Sequence, residues 1–188
     1  MSSNVMTEFF SSEKEHKSIM IFFLIFLISS CLKTYISLFI VENHTISILL
    51  NTFKFNNIVI FFVSVIISLI TILFTVNIIY FLMSACCFMS YDIESESSKK
   101  NIKNLIYISY FLPLTLNYII QIIIMLATQK LIPISLINLI SLFIYFLVSI
   151  FIFFILKITI KTSNFYKYFP IIVYIGNSIT SIIYFIKL

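Results

Sequence analysis

The sequence predicts an all-α protein that threads a membrane five times, and three observations carry that reading. Of its 188 residues, 61% are hydrophobic and only 10% are charged, whereas about a quarter of an average soluble domain is charged. The apolar residues fall into five continuous runs, each close to or longer than the ~20 residues that cross a ~30 Å hydrocarbon core. None of the runs alternates apolar and polar residues in the way of membrane β-strands, which span with about 10 residues. The same composition excludes a soluble globular domain, a disordered chain and, despite the formal charge of +5, a nucleic-acid binder. With one Gly and no Trp, the residue usage also follows A/T-rich codons. Part of the Ile and Phe excess therefore reflects a low-GC genome rather than function.

The first seventeen residues are polar, with Val5, Met6, Phe9 and Phe10 spaced to line one helical face. They form either a short interfacial helix or an unstructured tail. The first span covers 19–41. Residues 42–57 follow as a loop in which Ile46, Leu49, Leu50 and Phe53 stand at i, i+3, i+4 and i+7, the spacing of a helical turn or two lying along a surface. The second span, 58–88, exceeds one crossing and absorbs the excess by tilt or by emerging into the interface. The third, 105–127, leads through Thr128-Gln129-Lys130 directly into the fourth, 131–158, so these two form a tight antiparallel hairpin. The fifth covers 169–186. Pro133 and Pro170 fall in the first turns of spans four and five, where a missing N–H costs little. No repeat or linker divides the chain, which reads as one five-helix membrane domain over 18–188.

Lysine placement sets the orientation, because cytoplasmic loops retain positive charge. Lys14 and Lys17 precede span one, Lys99, Lys100 and Lys103 lie between spans two and three, and Lys157, Lys161 and Lys167 lie between spans four and five. The opposite side holds Lys54, Lys130 and Lys187. The N-terminus is therefore expected inside and the C-terminus outside, in a cell membrane and most simply a bacterial cytoplasmic one.

Six polar residues within the spans are the candidate site: Lys33, Asn77, Asn117, Gln121, Asn138 and Asn177. A charge at mid-bilayer costs at least ~2.5–3.5 kcal/mol, which makes Lys33 a functional candidate. Its position toward the outer end equally allows its stem to snorkel to the interface, and that is the expected arrangement. Ser109, Pro113, Asn117 and Gln121 repeat every four residues and share one face of span three. Span two carries Ser64, Ser68, Thr71 and Thr75 at the spacing of a packing seam. Span four offers Ser135, Asn138, Tyr145 and Ser149, and span five Gly176, Asn177 and Thr180. Small and amide residues of this kind let membrane helices approach and hydrogen-bond one another. That packing role is the expectation, and a polar cavity between spans three and four is the alternative.

Catalysis has little to work with. His16 and His44 fall on opposite sides of the membrane in this topology, and no H-E-x-x-H, G-x-S-x-G or Gly-rich phosphate loop occurs. No cofactor or metal site is expected, and the chain reads as non-enzymatic. Ile28-Ser29-Ser30-Cys31 resembles a lipobox, but the apolar run continues past it to Val41, unlike a signal peptide. Cys31, Cys86 and Cys87 are expected to act as small hydrophobes.

The stretch Ser97-Ser98-Lys99-Lys100-Asn101-Ile102-Lys103-Asn104-Leu105-Ile106-Tyr107-Ile108-Ser109-Tyr110-Phe111-Leu112-Pro113-Leu114 resembles the start of the third span in the Yip1 family. There, a basic cytoplasmic segment leads into an aromatic, small and apolar run with a proline about a third of the way in. The five-span layout, the inside N-terminus, the short hairpin and the polar break at 161–168 are similar to that family as well. The Asp-Leu-Tyr-Gly-Pro signature of eukaryotic members is absent, so the resemblance points to the bacterial branch. It implies an accessory membrane protein whose partners are the lipid bilayer and another membrane protein or an ABC-type transporter, in peptide or bacteriocin export or self-immunity.

Overall fold

The computed structural model describes residues 12–41, 57–88, 96–159 and 165–187. The amphipathic spacing expected over residues 5–10 and the surface turn expected over 42–56 lie outside the described residues. Within them the chain is helical throughout, as α1 (Ser12–Tyr35), α2 (Asn57–Phe88), α3 (Glu96–Thr128), α4 (Ile134–Thr159) and α5 (Phe165–Ile186). A π-helical turn, Ile36–Ile40, completes α1, and the Val41 N–H bonds the Ile36 carbonyl at 3.0 Å. All five helices are long and apolar enough to cross a membrane.

Three helices begin earlier than the apolar runs predict. α1 starts at Ser12, α3 at Glu96 and α5 at Phe165, because helical hydrogen bonding carries on through polar residues that hydropathy excludes from a span. One consequence is that Pro170 lies inside α5 rather than at its start. Pro113 likewise sits inside α3, where the Ser109 carbonyl loses its usual donor. At the hairpin, Pro133 stands just ahead of α4 and its carbonyl accepts the Ile137 N–H at 3.1 Å. Gln129 closes α3 in the left-handed region, φ 52°, a position usually filled by Gly or Asn. Its side-chain Nε2 caps the Leu126 carbonyl at 2.9 Å, so the strained residue also satisfies a terminal acceptor.

α3 is the central pillar, packed against α1, α2 and α4, while α5 packs on α4. Between α1 and α3 the contact is aromatic: the Phe26 ring lies 5.5 Å from both Phe111 and Tyr118, and Phe23 meets Phe111 edge-on. The larger core gathers Ile72, Val76 and Met83 of α2, Ile106 and Tyr110 of α3, Ile144, Val148 and Ile152 of α4 and Val173 of α5. It fills the bundle from mid-height toward the end where α3 and α5 begin. At the hairpin end, Ile36 and Val41 pack with Met125 and Ile132 in a second, smaller core.

Hydrogen bonds fasten α5 to its neighbours. Ser149 Oγ donates to the Pro170 carbonyl at 2.8 Å, and Ser181 Oγ to Asn138 Oδ1 at 3.2 Å. Outside the cores, large side chains such as Phe62, Phe74, Phe81, Ile123 and Phe143 are exposed around the bundle. Apolar surface on this scale suits a hydrocarbon solvent and far exceeds what a soluble monomer displays.

Two substitutions separate the core from that outer surface. Transfer from lipid to the bundle interior gains little hydrophobic energy, so burial here contributes chiefly packing. Truncating the fully buried Ile144 to Ala should therefore cost near the lower end of the ~2–5 kcal/mol range. Leu139→Ala on the exposed face should stay within about 0.5 kcal/mol. Thermal unfolding in micelles, followed by helical circular dichroism, reads both. Equal losses would show that α4 is turned differently in the bundle.

Candidate functional site

Near mid-height, against the larger apolar core, the bundle carries a polar cavity of about 260 Å³ that is half open toward the outside. Its walls come from α2, α3, α4 and α5. α2 supplies Ser68, Thr71 and Thr75, α3 supplies Tyr110, Asn117 and Tyr118, α4 adds Tyr145 and α5 adds Asn177. Thr71, Asn117, Tyr145 and Asn177 each lie close to the middle of their span. The cavity thus differs from the expected one between spans three and four, since α2 and α3 provide most of its polar lining.

The walls present complementary hydrogen-bonding character. On α2, Ser68 Oγ donates to the Ser64 carbonyl at 2.9 Å, and Thr71 and Thr75 donate to the Ile67 and Thr71 carbonyls at 2.8 Å. Each hydroxyl has placed its proton on its own helix, leaving oxygen lone pairs as acceptors. Across the cavity, Gln121 Nε2 donates to Asn117 Oδ1 at 2.9 Å. That bond fixes the Asn117 amide and leaves its N–H groups as donors toward the space it lines. Asn177 Nδ2 donates to the Tyr110 hydroxyl oxygen at 2.6 Å, joining α5 to α3. The Asn177 carbonyl oxygen remains as an acceptor.

Tyr118 connects this wall to α1. Ser30 of α1 and Ser68 of α2 stand beside its hydroxyl, and Lys33 Nζ lies 5.5 Å from its ring centroid, within cation–π range. Lys33 is half-buried and its side chain reaches across to α3. It does not line the cavity, whose walls carry no acid or base beyond the tyrosines among the described residues.

The six candidates thus divide. Asn117 and Asn177 line the cavity, Gln121 orients Asn117 from behind, and Lys33 stacks on a lining residue. Asn138 accepts the Ser181 hydroxyl between α4 and α5, the packing role expected of it. Asn77 turns outward and its amide caps the Leu73 carbonyl at 2.7 Å on its own helix. Of the expected α2 seam, Ser68, Thr71 and Thr75 line the cavity, Ser68 also standing beside the Tyr118 hydroxyl of α3, and the polar residues of span four split between Tyr145 at the cavity and Ser149 at α5. Tyr110 and Tyr118 were missed as site residues. Their signal is a stripe at 110, 114, 117, 118 and 121, which continues the face of Asn117 in both directions.

A second space adjoins the first. Because α5 packs on α4 while α2 packs on α1 and α3, α2 and α5 are left facing each other across a groove of about 360 Å³. Phe74, Ile78, Leu82, Ile172 and Gly176 are among its lining residues, and Thr75 and Asn177 belong to both spaces. No family model, curated protein or solved structure matches this chain.

Two further outcomes follow from the contacts described. If the Lys33–Tyr118 contact carries energy, a double-mutant cycle of Lys33→Met and Tyr118→Leu should return a coupling of ~0.5–2 kcal/mol in chemical unfolding. Additive losses would reduce it to proximity. Ser178 Oγ is fully buried with no hydrogen-bond partner among the described residues, so Ser178→Ala should be neutral or stabilise by up to ~1 kcal/mol. A lower melting temperature would mean that the hydroxyl has a partner in the membrane.

Proposed function

We propose that this chain is an integral protein of a cell membrane, threaded five times with its N-terminus inside, and that its mid-height cavity binds a small uncharged polar group. The observation behind the reading is the pairing of walls. Acceptor oxygens on α2 face amide and phenol donors on α3, α4 and α5, and such a set suits a ligand bearing both a donor and an acceptor, such as a hydroxyl or a primary amide. Neutrality follows from the lining. A charged ligand at this depth would face a desolvation penalty of several kcal/mol, and no ionised group of the cavity wall offsets it.

The position agrees with how membrane carriers work, because secondary transporters place substrate sites near the midplane between helices. A solute-binding subunit or carrier is thus the activity the site supports best. The accessory, partner-binding reading, of Yip1 type and linked to export or immunity, has the sequence resemblance behind it, and none of the cavity's features depends on a partner.

The test is ligand-induced stabilisation. A ligand at 100 times its Kd should add about 2.7 kcal/mol to unfolding, read as a thermal shift with millimolar polyols and primary amides. Asn117→Leu should abolish the shift while moving the unliganded melting point little, since the Asn117–Gln121 bond lies within α3 and ties no second helix to it. Gln121→Leu should weaken binding without abolishing it. A shift that survives both Asn117→Leu and Asn177→Leu would remove the cavity from consideration.

A further inference from the structure

We infer that the ligand is a neutral amphiphile with a single hydrocarbon tail, its polar head in the cavity and its tail in the groove between α2 and α5. This rests on the cavity reading and adds the ligand's class. Three observations carry it. The polar and apolar spaces adjoin, with Thr75 and Asn177 lining both. A molecule spanning the junction must therefore change from hydrogen-bonding to hydrocarbon character along its length. The cavity alone, about 260 Å³, falls short of the ~300–1,000 Å³ range of small-molecule sites, and taken with the groove's 360 Å³ it falls well inside it.

Access supports the same conclusion. The groove opens where α2 and α5 stand apart, on a surface otherwise covered by exposed Phe and Ile side chains. A ligand dissolved in the bilayer enters there without passing through water. An uncharged head tolerates the depth at which the cavity lies, whereas an ionised headgroup does not. Acceptors on α2 opposite the Asn117 and Tyr110 donors then select a hydroxyl- or carbonyl-bearing head over a bare alkane.

The chain's one glycine lies on the groove wall. A Cβ built on Gly176 would meet nothing within 4 Å, and glycine is among the poorest helix formers. Packing therefore does not require it, and its effect is to keep the groove open beside Asn177. Gly176→Phe fills that space without an initial clash, and Gly176→Ala leaves most of it.

The experiment uses the full chain in phosphatidylcholine nanodiscs with a long-chain monoacylglycerol carrying a photoactivatable group on its tail. Crosslinks mapped by mass spectrometry should fall on Ile78, Leu82 and Ile172, and excess unlabelled monoacylglycerol should displace them while free glycerol does not. Gly176→Phe should lower this labelling by about tenfold, Gly176→Ala should retain it, and Asn117→Leu should abolish its competition. Label spread equally over the groove and over Ile123 and Phe143, without competition, would mean bulk lipid contact and overturn the inference. Unchanged labelling in Gly176→Phe would do the same. A glycerol-induced, Asn117-dependent thermal shift with no groove labelling would overturn the amphiphile alone and keep the cavity reading. Absence of both signals would overturn both.

Discussion

The burial of α3 is the constraint on which the bundle depends. This helix carries Ser109, Thr115, Asn117 and Gln121 on surfaces that are all buried, and it is less apolar than α2 or α4. In the hydrocarbon solvent proposed for this chain each uncompensated polar group is costly, which favours covering α3 along its length. α1 covers it with Phe23 and Phe26, α4 folds back on it through the hairpin, and α2 closes part of the remaining side. α2, among the most apolar of the five, is also the least buried, and its Phe and Ile side chains face outward.

Covering α3 does not mean pairing every polar group on it with another helix. Asn117 is satisfied along its own helix by Gln121, and the hydroxyls of α2 by their own carbonyls. Local bonding of this kind lets polar side chains line a space without drawing the helices together, which is how a cavity persists in a bundle this small. Bonds that cross between helices do both: Ser149 with Pro170 and Ser181 with Asn138 join α5 to α4 where the two pack, whereas Asn177 with Tyr110 bridges α5 and α3 at the cavity itself. The same residue types therefore serve a seam or a void.

That distinction explains what the sequence did and did not reveal. Five helices, their order and the α3–α4 hairpin were legible, because apolar run length and a three-residue link constrain them strongly. Helix ends were not: the extensions at Ser12, Glu96 and Phe165 are polar, and hydropathy is blind to polar helix. The Asn117 face was legible from four-residue spacing. Its opposite wall was not, since periodicity identifies a face but not the helix it confronts. Ser68, Thr71 and Thr75 accordingly read as a seam. Lys33 shows the same limit, because its aromatic partner lies 85 positions away along the chain, at Tyr118.

The π-helical close of α1 also sets where the chain can change length. A π turn accommodates one residue more than the α-helix on either side, and each residue rotates the helix by about 100°. Here the wider turn brings Val41 onto Met125 and Ile132. Removing one residue from 36–40 would let the turn tighten into ordinary α-helix and leave Val41 in its present phase. The same deletion in α3 would turn Asn117 away from the cavity together with everything that follows it. Among the described residues, the end of α1 is therefore a place where a one-residue deletion is absorbed locally, so related chains are expected to vary in length there while α3 keeps its count.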